Sequence, residues 1–244
     1  MRPVDYDDAG HLKPRHEIFC DQLCVCAATI SACALISLIV ALYRQETLSI
    51  FCWKVMTSMG FCTVGWLRYG RSCKKDIDIF FLVALGFSLL GDIFLALNGD
   101  IFFLAGVCAF GMTHVLYLAG FLKINKSQMT RVNVVGSVLV FIGLIPVLFA
   151  AGLKYGDMFP AVVGYSMIIS VMTGSSLSVI RVPQYERVGQ WLIIGSFLFV
   201  VSDIMLVFYL FAVQQVLDRQ VVNWVLYYVA QFMFAFSIAG VEES

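Results

Sequence analysis

Three charged residues of this chain, Lys54, Asp92 and Asp203, lie well inside long apolar runs, and so does His114. An ionisable side chain at such depth in a bilayer costs a few kcal/mol or more unless it is paired or hydrated, so these residues mark a functional site by default. A lysine near two carboxylates has a definite chemistry. Its ammonium favours the charged form of one carboxylate, while apolar surroundings favour the neutral form of the other. Two carboxyls separated in this way are an acid and a base. The competing reading is an ion pair that only locks helices together.

The elements that hold these residues follow from composition. Of 244 residues, 61% are hydrophobic and 13% charged, against roughly 45–50% and about 25% in an average soluble domain. That excludes a soluble globular protein and a disordered chain. Sixteen Lys and Arg balance sixteen Asp and Glu, so there is no field to attract nucleic acid. A span needs about 20 apolar residues. The sequence predicts an all-α polytopic membrane protein with eight transmembrane helices near 23–43, 48–68, 77–97, 101–122, 132–151, 158–180, 188–212 and 221–240. Residues 1–22 and 241–244 read as cytosolic tails and 23–240 as one transmembrane catalytic domain. The apolar runs are continuous rather than alternating, which argues against a β-barrel.

Cations set the orientation. Besides Lys54, only Arg44, Lys154 and Arg219 fall on one face of the predicted bundle, and the other twelve Lys and Arg fall on the face that holds both termini. Both termini are therefore expected in the cytosol, with an endoplasmic reticulum membrane favoured over the plasma membrane. The tail histidines His11 and His16 read as solvated, and the eight cysteines have no paired zinc or redox spacing. Neither a metal nor a cofactor is expected.

Lys54, Asp92 and Asp203 fall at depths within roughly 6 Å of one another at 1.5 Å per residue, so one cavity can hold all three. The chain also repeats itself. Gly91-Asp92-Ile93-Phe94-Leu95 resembles Ser202-Asp203-Ile204-Met205-Leu206, and Val115-Leu116-Tyr117 resembles Val225-Leu226-Tyr227, at offsets of 111 and 110 residues. Four spans per half preserve direction, so the expectation is a parallel 4+4 repeat. Phe103, Gly106, Phe110, His114 and Tyr117 share one face of the fourth helix. On the eighth, Tyr227 and Tyr228 lie four and three residues before Gln231.

Gly91-Asp92, the stripe from Phe103 to Tyr117, Ser202-Asp203 and Tyr227-Tyr228-Val229-Ala230-Gln231, in this order, resemble the YhhN-like lysoplasmalogenase family of eight-span membrane proteins over roughly residues 48–240. The family's second helix commonly carries Lys-Pro where this chain has Lys54-Val55; the cation is kept and the proline kink lost. The resemblance implies hydrolysis of the vinyl ether bond of a lysoplasmalogen, drawn from the surrounding membrane lipids, to a fatty aldehyde and glycerophosphoethanolamine or glycerophosphocholine. The residues suit that chemistry. A vinyl ether opens when its β-carbon is protonated, giving an oxocarbenium ion, and glycosidases manage a comparable cation with two carboxylates. Asp92 and Asp203 are expected as the catalytic pair, with either as the acid. Lys54, His114, Tyr117, Tyr227, Tyr228 and Gln231 are expected to orient water or bind substrate oxygens.

Two other classes remain open. Repeated halves with an acidic residue in each are also the arrangement of ion-coupled carriers, for small molecules or lipids. A scaffold or lipid-sensing protein would keep Lys54 and Asp92 as a structural pair without turnover.

Overall fold

A computed structural model describes residues 15–97, 99–126, 130–150, 152–214 and 216–240. His11, most of the predicted 1–22 tail and residues 241–244 lie outside them. Eight long helices follow in order: α1 (Arg15–Tyr43), α2 (Thr47–Tyr69), α3 (Lys75–Leu95), α4 (Asp100–Ile124), α5 (Arg131–Leu148), α6 (Phe159–Ser176), α7 (Glu186–Phe211) and α8 (Leu217–Ser237). The described residues form no sheet, only one isolated bridge between Leu153 and Ala212.

Helices α1 to α7 are long and apolar enough to cross a membrane, which makes the chain an integral membrane protein. The eighth has the length, at 21 residues, but spends much of it on Asp218, Arg219, Gln220, Asn223, Tyr227, Tyr228 and Gln231. Several of these point inward, so its low hydropathy reflects what it supplies to the interior. Three boundaries differ from expectation by four residues or more, one of them the start of α8 at Leu217 rather than 221. Helix α1 begins eight residues early, because Glu17 and Asp21 in its first turns pair with Arg71 at 3.7 and 2.6 Å. Helix α6 stops at Ser176 and continues as short 3-10 turns up to Pro183, whose ring holds Val182 extended at φ −88°, ψ 111°.

Consecutive helices pack as antiparallel hairpins, α1 on α2, α3 on α4, α5 on α6 and α7 on α8, and the bundle is joined by α2 on α3 and α8 and by α6 on α4 and α7. Its two ends are tied differently. At the end that holds the N-terminus of α1 and the C-terminus of α8, Arg68 Nε donates to the Ile238 carbonyl at 2.7 Å. Asp78 accepts there from Ser72 Oγ at 2.6 Å and from the Ala239 amide at 2.9 Å. At the opposite end, Lys154 N donates to Phe211 O at 2.8 Å and Tyr43 donates to Asp218 at 2.8 Å.

Outward faces are apolar, as lipid requires; Ile36 and Val40 on α1 and Val135 and Leu139 on α5 are exposed. Inside, the half of the bundle nearer the termini is filled with rings. Tyr117 stacks on Phe234 with centroids 4.0 Å apart, and Phe81, Phe121 and Phe199 pack around them. The other half carries the polar residues, and there α3 and α4 approach closely. A Cβ on Gly91 would stand 2.7 Å from a ring carbon of Phe110, a distance real Cβ atoms do not adopt. Gly91→Val should therefore destabilise by about 1–3 kcal/mol, read as a lower thermal midpoint in detergent. Gly111→Ala on the same helix pair, where a Cβ meets nothing within 4 Å, should not lower the midpoint.

Candidate active site

Asp92 lies in the last turn of α3 and is almost wholly buried. Its Oδ1 faces Lys54 Nζ of α2 at 3.2 Å. Its Oδ2 accepts from Ser58 Oγ, one turn further along α2, at 2.6 Å and from Tyr227 of α8 at 2.7 Å. Three donors from two helices thus converge on one carboxylate, which an ionised carboxylate, acceptor only, can satisfy in full. The lost proline of the second helix does not displace the lysine: α2 runs unbroken through Lys54.

Asp203, in the interior of α7, has other company. Its Oδ2 lies 3.0 Å from the Tyr165 hydroxyl of α6, and that hydroxyl lies 2.8 Å from Nε2 of His114 on α4. His114 Nε2 is also 3.5 Å from the carboxylate. His114 is fully buried, packed edge-on against Tyr165 and Phe199, and its Nδ1 has no hydrogen-bond partner. Asp203 keeps 18% of its side chain accessible where Asp92 keeps 2%, so it is the carboxyl that a molecule in the cavity can reach.

Both aspartates and Lys54 line a single cavity of about 100 Å³, whose walls include Tyr209, Gln220, Asn223, Trp224 and Tyr227. That is room for several waters. Beyond Leu95, Phe103, Phe110, Leu206 and Leu210, which face both spaces, lies a second lobe between α4, α5, α6 and α7. Its walls are aliphatic and aromatic apart from Asp203, Tyr165 and Ser166. Asp203 therefore stands where a polar lobe meets an apolar one. A small polar pocket joined to an apolar lobe suits an amphiphile, with polar groups fixing its orientation.

The chain matches the model of the YhhN family over residues 49–238. It belongs to the YhhN family. That family includes lysoplasmalogenases. No curated protein and no solved structure matches the chain.

The YhhN residues expected at the site fall into two groups. Lys54, Asp92, Asp203 and Tyr227 line the polar lobe, and His114 contacts Tyr165, which lines the apolar lobe and donates to Asp203. Tyr117, Gln231 and Tyr228 lie beneath it, fully buried. Tyr117 donates to Gln231 Oε1 at 2.8 Å, and Gln231 Nε2 donates to Ser88 Oγ at 2.6 Å. Tyr228 donates to the Lys54 carbonyl at 3.3 Å. These three support the cavity floor rather than line it. Sequence reasoning missed Ser58, Ser88 and Tyr165. Tyr165 had a signal: it follows Lys54 by 111 residues, the interval that separates Asp92 from Asp203. Among the described residues, no group of three or more His, Cys, Asp or Glu could hold a metal ion.

Removing one partner of a buried pair leaves an unpaired charge and costs about 3–5 kcal/mol. Lys54→Met alone should lower the thermal midpoint markedly, and adding Asp92→Asn should recover most of the loss, because the double variant buries no lone charge. Thermal unfolding of the two single variants and the double variant in detergent measures this coupling. Equal, additive losses would mean that the pair is not coupled.

Proposed function

We propose that this chain hydrolyses the vinyl ether bond of a lysoplasmalogen within the membrane, with Asp203 as the proton donor and Asp92 as its partner carboxylate. The observation that carries this reading is the unequal setting of the two aspartates around one cavity: Asp92 is saturated by Lys54, Ser58 and Tyr227, whereas Asp203 is accessible and touches the apolar lobe.

The reaction balances on these two groups. Asp203 gives its proton to the β-carbon of the vinyl ether, leaving an oxocarbenium ion beside two carboxylates. Water adds to the cation carbon and passes a proton to Asp92. As the hemiacetal collapses, Asp92 returns that proton to the ether oxygen and the hemiacetal hydroxyl gives its own to Asp203. Aldehyde and glycerophospho-alcohol leave, and both aspartates are back where they began. Lys54 stays beside Asp92 throughout and stabilises its charge whenever that carboxylate is ionised.

Tyr165 explains why the two aspartates differ. It stands at the position of the second half that Lys54 holds in the first. A lysine ammonium only donates, so it favours a carboxylate; a phenol both donates and accepts, so it can follow Asp203 through either form. The helix contacts support the same two-half correspondence, since α4 packs on α6 as α8 packs on α2. A carrier reading is less well supported, because carrier sites of this kind use broken helices and α2, α3 and α7 are continuous through Lys54, Asp92 and Asp203.

Purified protein given a lysoplasmenyl lipid should release free aldehyde. Asp92→Asn and Asp203→Asn should each lower the rate by at least about 100-fold, the usual scale for a lost general acid or base. Both should remain folded by size-exclusion chromatography. Absence of turnover in the native protein across headgroups and pH, or a neutral Asp203→Asn, would overturn the assignment. Tyr165→Phe should cut kcat about tenfold, the worth of one hydrogen bond near 1.4 kcal/mol, with KM within about twofold.

A further inference from the structure

We infer that the site is one-sided: it takes lipid from the leaflet at the end of the bundle opposite the two termini, lodges the hydrocarbon chain in the apolar lobe, and releases the water-soluble product at that same face. This rests on the vinyl ether reading above, but the geometry behind it is independent of the chemistry.

Between them, the two lobes draw on helix segments next to the α1–α2, α3–α4, α5–α6 and α7–α8 connections. Lys54 lies two turns into α2, Asp92 three residues before the end of α3, and Phe103 in the first turn of α4. Leu144 and Leu148 close α5, and Met158 immediately precedes α6. The deepest polar groups are Asp203, eight residues before the end of α7, and Tyr227, ten residues after the start of α8. At 1.5 Å per residue these lie about 12 and 15 Å from that end, about half of a 30 Å hydrocarbon core.

Beyond that depth the interior is closed. Tyr117, Phe199 and Phe234 are in mutual ring contact, and all three are buried to 1% exposure or less. The polar side chains at this level satisfy one another: Ser88 Oγ receives Gln231 and donates to Thr113 Oγ1 at 3.1 Å. A lipid in the leaflet near the termini would have to carry its glycerol through these rings. A lysolipid in the opposite leaflet has its headgroup at the connections and its first chain carbons a few ångströms deeper, at the level of the aspartates.

Charge points the same way. The polar lobe holds one cation and two acids, which gives a phosphate no reason to descend. Lys154, in the α5–α6 connection, and Arg219, in the first turn of α8, lie at this end, where the phosphate of such a lipid remains in water. The apolar lobe, walled by Val107, Val162 and Val207 among others, offers the chain a path that starts at Asp203. On the orientation read from the Lys and Arg distribution, this is the non-cytosolic leaflet.

The test uses full-length protein with an N-terminal affinity tag, reconstituted into sealed liposomes. Capture on the tag separates vesicles with termini outside from those with termini inside. Lysoplasmenylcholine is then added to the outer leaflet of each preparation. Vesicles with termini inside should release aldehyde and glycerophosphocholine to the outside, and those with termini outside should be at least tenfold slower until detergent equalises the two. Equal rates before detergent, or faster turnover with termini outside, would overturn the one-sided reading. No turnover in either preparation after detergent would instead overturn the hydrolase reading beneath it. Val162→Trp should raise KM for a long alkenyl chain and leave that for a short-chain vinyl ether within twofold. A parallel rise for both, or none, would remove the chain from this lobe.

Discussion

A lysine ammonium and a carboxylate 3.2 Å apart, each more than nine-tenths out of water, persist in a bilayer only when neither is left without its partner. Much of the interior follows from that constraint. Helix α2 must present Lys54 to α3, α8 must bring Tyr227 within 2.7 Å of the same carboxylate, and Ser58 must occupy the remaining space. Three helices are thereby pinned at one level. The small residue beside Asp92, Gly91, allows α4 to come close enough for Phe110 to wall the cavity.

With that centre fixed, the second centre has a different and smaller set of partners. Asp203 meets a phenol where Asp92 meets an ammonium, and the phenol is backed by a histidine. A pair of like carboxyls becomes a pair of unlike ones through their neighbours alone, the general route by which one protein obtains an acid and a base. The less saturated aspartate stands against an apolar lobe, where the proposed reaction needs a lipid chain. The rings below close the interior beyond it.

Much of this was legible in the sequence because formal charge inside an apolar run is a rare signal. Lys54, Asp92 and Asp203 stood out for that reason, and they do share one cavity. Ser58, Ser88 and Tyr165 were not legible in the same way, since hydroxyl residues are common in membrane helices and only the register between helices gives them partners. Periodicity placed Tyr117 and Gln231 on inward faces, which they occupy, yet a helix face extends over several turns and its depth relative to a cavity is a tertiary property. They lie under the cavity. Asp78 lies in the first turn of α3, where an acidic residue is ordinary. It is buried because the chain after α8 folds back to give it the Ala239 amide, a contact no local pattern encodes.

Protonation of carbon by an aspartate, as proposed, leaves the transferred proton in the aldehyde, where it can be followed. Hydrolysis of a lysoplasmenyl lipid in deuterium oxide, with the aldehyde trapped as it forms and analysed by mass spectrometry, should place one deuterium at carbon 2 of the aldehyde. An aldehyde without deuterium at that carbon would contradict protonation of carbon, and lipid recovered unchanged would contradict hydrolysis.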